Sequence, residues 1–295
     1  MKLVALPHSR EFARSMAESE GFGCLDVDYR QFPDGESYVR VDGDVAGADV
    51  GIVTSMHPPN ESLVGSLLLA ETLEDLGADR VGLVAPYLAY LRQDQRFKPG
   101  EAVSSRYVAK ILSGHVDWLA TVDPHLHRIP ELDEIYTIPT LAVSAADDIG
   151  QWVRREVDRP MIIGPDSESE QWVERVARAA DAPHIILEKE RIGDRTVEVD
   201  TEPLPDQDHR TPVVMDDIIS SGGTMVETVK QLVRRGLRSP VCIGIHGLFA
   251  DAAYRDLAQS GVEQVGTTNT VAHHCNKIDV TGTVARALAG WDGRF

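Results

Sequence analysis

Two adjacent acids, Asp216 and Asp217, stand just ahead of a run of small hydroxyl and glycine residues, Ser220, Ser221, Gly222, Gly223 and Thr224. Glycine lets backbone N–H groups close on a phosphate, and the positive end of a following helix adds to that attraction. Ser and Thr hydroxyls donate further hydrogen bonds to phosphate oxygens. The acids repel phosphate and suit the hydroxyls of a sugar or a divalent cation. A sugar phosphate uses both halves of the segment at once. The plainer alternative, a buried strand with a Gly-rich turn, leaves two neighbouring carboxylates without a packing role.

This segment resembles the ribose 5-phosphate and PRPP-binding loop of type I phosphoribosyltransferases and of PRPP synthases (ribose-phosphate pyrophosphokinases). By itself it fits either class. Residues 86–104 bring Arg92, Arg96 and Lys98 together with Tyr87 and Tyr90. That composition could hold a polyphosphate beside a planar base, and equally describes a solvated loop. PRPP synthases carry a similar aromatic-rich segment ending in Arg-Gln-Asp, which Arg92, Gln93 and Asp94 match, and there the segment contacts ATP. Residues 32–36, Phe-Pro-Asp-Gly-Glu, are on their own a good turn. They resemble a second ATP-contacting signature of that family, with Phe32 near the adenine and Asp34 and Glu36 at the base or ribose edge. In the family a neighbouring subunit supplies this segment, so the resemblance implies a homo-oligomer with its ATP site at a subunit interface.

Three further matches follow in chain order. An Asp-x-His segment at a strand end implies that His125 helps hold the magnesium–ATP complex, while His127 has no counterpart. Asp166, just beyond an apolar run, suits a helix N-cap or a Mg²⁺ ligand; the resemblance implies magnesium and ribose phosphate. The family's usual small, Gly-rich continuation is replaced here by Ser167, Glu168, Ser169 and Glu170. Lys189 and Arg191 flank one residue at the end of another apolar run, ahead of Gly193. Alternate basic residues often mark a solvated edge, but the family carries a Lys-x-Arg pair here on a flexible catalytic loop. Phosphoribosyltransferases have no use for that pair together with ATP signatures. Ser220 departs from many relatives, which have an acid at its position.

The resemblance implies a ribose-phosphate diphosphokinase. Such an enzyme transfers the β,γ-diphosphoryl group of ATP to the C1 hydroxyl of ribose 5-phosphate, with Mg²⁺, giving PRPP and AMP. The alternatives are a type I phosphoribosyltransferase using PRPP, a non-catalytic regulatory homologue, and a kinase moving only the γ-phosphoryl group.

Strand-like runs at residues 2–6, 51–54, 80–85, 118–122, 161–163, 184–187, 213–215 and 241–245 alternate with helical stretches. Leu63, Val64, Leu67, Leu68 and Leu73 mark one helix face. Trp172, Val173, Val176 and Ala180 mark a second, and Val226, Val229, Leu232 and Val233 a third. The alternation predicts an α/β fold with two largely parallel, doubly wound sheets flanked by helices. By resemblance each is a phosphoribosyltransferase-like domain: residues 1–143 with the ATP-contacting segments, and 144–295 with the ribose 5-phosphate site, the last residues packing back on the first domain. Ligands in such sheets gather at the C-terminal strand ends. Residues 201–212 read as a polar, proline-bearing loop.

At 295 residues the chain has room for two domains, and 42% hydrophobic residues is ordinary for a globular protein. No apolar run of membrane-spanning length occurs, and Pro7 and His8 interrupt the first apolar stretch too early for a signal peptide. Cys24, Cys242 and Cys275 lack metal-type spacing, which predicts reduced thiols and a cytoplasmic setting. A net charge of −18 without a basic stripe argues against nucleic-acid binding. Only 6 of the 29 basic residues are Lys. Abundant acid with scarce Lys suits concentrated salt, where self-repulsion is screened, and predicts a halophilic source. Thermal unfolding across a potassium chloride series is expected to show melting temperatures that climb with salt and a chain unfolded in dilute buffer. Full stability without added salt would exclude the halophilic reading.

Overall fold

A computed structural model describes residues 1–192, 196–200 and 209–291. They form two compact units: Met1–Val143 with Thr270–Ala272 and the segment from Val280, and Ser144–Asn269 with His273–Asp279.

The first unit opens with β1 (Lys2–Ala5), α1 (Arg10–Glu20) and β2 (Gly23–Cys24). An antiparallel hairpin of β3 (Asp26–Gln31) and β4 (Ser37–Asp42) follows. Next come β5 (Asp49–Val53), α2 (Pro59–Asp75), β6 (Arg80–Ala85), α3 (Ser104–Ser113), β7 (Trp118–Val122) and β8 (Thr140–Val143). Apart from the hairpin the strands make one sheet, ordered β2-β1-β5-β6-β7-β8, with every pair parallel.

The second unit begins with α4 (Ala146–Glu156), β9 (Pro160–Gly164), α5 (Glu170–Ala180) and β10 (His184–Ile186). Its own antiparallel hairpin is β11 (Glu188–Ile192) with β12 (Thr196–Asp200). β13 (Thr211–Ile219), α6 (Gly223–Arg234), β14 (Val241–Gly247), α7 (Ala253–Ala258), β15 (Gln264–Thr268) and β16 (Asn276–Ile278) complete it. The sheet order is β10-β9-β13-β14-β15-β16, again all parallel. Each unit therefore has the same strand order, with a hairpin inserted after its second strand. The last helix, α8 (Thr281–Ala289), belongs to the first unit, where it packs on α1 and β8.

Strands buried on both faces must be apolar along their whole length. β7 and β14 are fully buried, as is all of β6 but its first residue. Around them the helices show one apolar face each. α1 buries Phe12, Ala13, Met16 and Ala17 and stops at Gly21, whose left-handed φ of 69° costs glycine little. α5 buries Trp172, Val173, Val176, Ala177 and Ala180. Among the described residues no helix is long and apolar enough to cross a membrane.

Three sequence expectations change. α2 buries Ser62, Gly65, Ser66, Leu69, Ala70 and Leu73 and leaves Val64 and Leu68 exposed. Residues 63–70 are apolar nearly all round, so size decides the face: a Cβ on Gly65 would stand 3.0 Å from Leu6 and from the Tyr29 ring. In α6 Met225, Thr228, Val229 and Leu232 are buried, while Val233 points outward. β13 runs from Thr211 to Ile219, so Pro212 pairs with Met161 inside the sheet and both acids lie within the strand. Residues 201–208, in the stretch read as a polar loop, lie outside the described residues, as does Gly193.

The first sheet is locked by Trp118, whose indole lies across Gly82 on the adjacent β6 and Gly51 on β5 beyond it. A Cβ on Gly82 would come within 1.8 Å of the Trp118 ring, and one on Gly51 within 3.3 Å. The indole N–H donates to Asp49 Oδ1 at 3.3 Å, and Trp291 meets the ring edge-on at 5.9 Å. Trp118 is 2% exposed and has nowhere to retreat. Gly82→Ala is expected to destabilise the chain by about 3 kcal/mol, the upper end for overpacking, measured by denaturant unfolding. A loss below about 1 kcal/mol would show that the indole can move.

Candidate functional site

In the second unit β13 ends on Asp216, Asp217, Ile218 and Ile219. Successive strand residues face opposite sides, and burial follows: Asp216 is half-buried, whereas Asp217 is 4% exposed. The Asp217 backbone N–H donates to Asp216 Oδ1 at 3.0 Å, which holds the first carboxylate against the strand. The chain then turns through Ser220 and Ser221 to Gly222. Its φ of 71° is left-handed, the conformation glycine adopts without a side-chain penalty. α6 starts at Gly223 with no acid in its first turn. The opening N–H groups of a helix have no acceptor within it, so those of α6 face an anion-attracting position. Ser221, Gly223 and Thr224 are exposed there.

Asp166 follows β9. Its side chain caps the short turn Ser167–Ser169 by accepting from the Glu168 N–H at 3.2 Å, and its carbonyl accepts from the Ser169 hydroxyl at 2.6 Å. The departure from a Gly-rich continuation thus takes the form of a capped turn leading into α5. Lys189 and Arg191 lie in β11, opposite Val199 and Val197 of β12. Their side chains lie outside the described part of the structure.

In the first unit the segment Phe32–Glu36 is the turn of the β3–β4 hairpin, closed by Phe32 N–H to Glu36 O at 2.8 Å and Gly35 N–H to Phe32 O at 2.9 Å. All five residues are exposed. Arg30 stacks over both Phe32 (4.9 Å) and Tyr38 (4.3 Å), which stiffens the tip. Among the described residues no hydrogen bond or ring contact joins this tip to Arg92–Asp94.

The loop after β6 divides by role. Tyr87 is buried, and its carbonyl accepts from the Met56 N–H. Tyr90 stays half-exposed, its hydroxyl bonded to Asn60. Arg92 is exposed and Gln93 partly so. The Asp94 side chain is only 4% exposed and accepts from Arg128 at 3.1 and 3.3 Å. Arg128 in turn covers the Phe97 ring. Asp94 therefore ties this loop to the one after β7. That loop also carries half-buried His125 and exposed His127.

The sequence reading passed over His8, at the end of β1. Its Nε2 lies 3.0 Å from Thr54 Oγ1 and 2.8 Å from Ser55 O, and burial lowers its pKa. His57 stands beside it, its pKa lowered by burial and then by the charge of His8. No motif marks either residue; only the parallel register of β1 with β5 brings them together.

Residues 1–115 match the family model for the N-terminal domain of ribose phosphate pyrophosphokinase, and residues 131–278 match the phosphoribosyl transferase domain. A ribose-phosphate pyrophosphokinase of Methanopyrus kandleri is 36% identical over 99% of this chain and the whole of its own length. The chain belongs to the ribose-phosphate pyrophosphokinase family. A second member, from Sulfurisphaera tokodaii, is 34% identical over 90% of the chain and 92% of its own. The crystal structure of phosphoribosylpyrophosphate synthetase from Mycobacterium smegmatis shares the fold, with a TM-score of 0.84 at 24% identity over 98% of both chains. The pyrophosphokinase family is an enzyme family.

Among the described residues no three His, Cys, Asp or Glu side chains are grouped to hold a metal ion. Mg²⁺ commonly takes one or two carboxylates and completes its octahedron with water and substrate phosphate. Asp166 and the Asp216–Asp217 pair suit it by donor chemistry. The His125 imidazole is a less natural ligand for a hard cation.

Proposed function

We infer that this chain converts ATP and ribose 5-phosphate to PRPP and AMP. The observation that carries this is the β13–α6 junction. Paired carboxylates end a parallel strand and lead into an acid-free helix N-terminus capped by left-handed Gly222. That arrangement suits a phosphorylated ribose, and family membership selects ATP as the second substrate.

Asp216 and Asp217 accept hydrogen bonds from ribose hydroxyls and fix the ring. The N–H groups and hydroxyls of Ser220, Ser221, Gly222, Gly223 and Thr224 hold the 5-phosphate. The C1 hydroxyl oxygen attacks the β-phosphorus of ATP in line. The bond from that phosphorus to the α–β bridging oxygen breaks, the hydroxyl proton is lost, and AMP departs. Negative charge grows on the transferring group and the leaving oxygen, so positioning and neutralisation carry most of the rate. Lys189 and Arg191 supply the positive charge beside that group. Arg92 and Gln93 hold the nucleotide, while Asp94 acts through Arg128 by fixing the loop. Asp166 and His125 would hold Mg²⁺ together with substrate oxygens, and the bound ion would supply neutralising charge to the phosphates.

The exposed Phe32–Glu36 turn, unconnected to Arg92–Asp94, supports an ATP site completed by a second copy. Phe32 would then lie near the adenine, and Asp34 and Glu36 at the base or ribose edge. The reading includes a homo-oligomer working in the cytoplasm, of a halophilic source.

Incubation with ATP and ribose 5-phosphate is expected to release AMP, and release of ADP instead would overturn the reading. Lys189→Ala is expected to lower turnover by about 10²–10³, the scale of losing one charge-assisted contact in a transition state, with ribose 5-phosphate binding little changed. An unaltered rate would remove Lys189 from the chemistry.

A further inference from the structure

The loop that precedes α6 is braced from the adjacent strand. Past the end of β14 three consecutive N–H groups turn toward it. Leu248 and Phe249 both donate to Ile219 O, at 2.9 and 3.0 Å, and Ala250 donates to Ser220 O at 3.1 Å. Phe249 reaches this position only through a left-handed backbone, with φ of 43°. A bulky residue there is strained by roughly 1–3 kcal/mol. Something must hold it in place.

A ring cluster does so. His273 stacks on Phe249 with centroids 4.5 Å apart, and Tyr254 meets it edge-on at 5.4 Å. Tyr254 also contacts His273 at 5.1 Å and His274 at 4.4 Å. The cluster is anchored in turn. The His273 backbone N–H donates to Asn276 Oδ1 at 2.8 Å, and the Cys275 N–H donates to His273 Nδ1 at 3.3 Å. Asn276 donates onward to Thr267 Oγ1 and Thr268 O. Gly247 makes room for the ring: a Cβ there would lie 2.6 Å from Phe249 Cε2. All of these residues lie in the second unit.

We propose that Phe249 is a positioning residue for ribose 5-phosphate, held strained between His273 and Tyr254 so that its N–H and that of Ala250 fix the carbonyls of Ile219 and Ser220. With those carbonyls engaged, the turn at Ser221–Gly222 presents its N–H groups to the phosphate and does not have to be ordered by the ligand. The proposal rests on the reaction inferred above.

The test compares wild type with Phe249→Gly, which keeps the left-handed backbone accessible while removing the ring and the restraint its side chain places on the backbone. The expected result is a rise of about tenfold or more in the KM for ribose 5-phosphate, on the scale by which loosened positioning acts. The KM for ATP stays unchanged, and kcat at saturation stays within about twofold of wild type. Phe249→Tyr is expected to restore the wild-type KM. His273→Phe, which keeps a stacking ring and the backbone bond to Asn276 but loses the Nδ1 acceptor, is expected to raise the KM less than His273→Ala, which should behave as Phe249→Gly. Because His273 is partly exposed, its variants provide the comparison if Phe249→Gly fails to fold. An unchanged ribose 5-phosphate KM in folded Phe249→Gly, or in His273→Ala, would overturn the brace. Wild type that forms no AMP would overturn the reaction instead. The brace would then be judged by calorimetric titration with inorganic phosphate, where equal affinity in wild type and His273→Ala refutes it.

Discussion

A parallel strand pair cannot be closed by a tight turn. Every connection has to travel back along the sheet before the next strand begins, and it does so with one handedness. The rest of this structure follows from that constraint. Most of the returning segments are helices, and the central strands between them are buried along nearly their whole length. All strand C-termini then open on the same edge, which gathers His8, Tyr90, His125, Asp166, Asp216 and the Ser220 turn onto the corresponding edges of their two sheets. The hairpins are the exceptions. They pair antiparallel, stand outside both sheets, and carry the Phe32–Glu36 turn and the Lys189–Arg191 strand. Chemistry held away from a rigid sheet edge can be delivered to it.

Close packing then sets which residues are tolerated. Trp118 needs glycine on two neighbouring strands, and Gly65 lets α2 approach Leu6 and Tyr29. In both places a glycine is present because a large neighbour occupies the space its side chain would fill.

The sequence was most legible where a single rule applied. Strands 80–85 and 118–122 were bounded correctly because uninterrupted apolar residues between polar ends leave few alternatives. The buried face of α5 followed from the spacing of Trp172, Val173, Val176 and Ala180. Legibility failed where two rules competed. β3 reads Asp-Val-Asp-Tyr-Arg-Gln, too polar for a core strand, and it forms because its partner lies only a turn away. Apolar spacing could not choose a face for α2, since size made the choice. The Ser-Gly turn ahead of α6 was visible from residue types alone, but the partners of Asp94 and Ile219 were not. Arg128 lies 34 residues from Asp94, and Phe249 reaches Ile219 only because β14 runs beside β13.

The repeated strand order has an arithmetical outcome. Counting strands in each unit, β5 corresponds to β13 and α2 to α6. The equivalent of the Gly222–Gly223 turn is therefore Pro58–Pro59, with Pro58 as the cap of α2, Pro59 at its first position and Glu61 in its first turn. Proline has no N–H to offer, and the acid repels phosphate. One fold written twice thus keeps an acid-free, glycine-opened helix start at one of these two corresponding turns and a proline-closed start at the other.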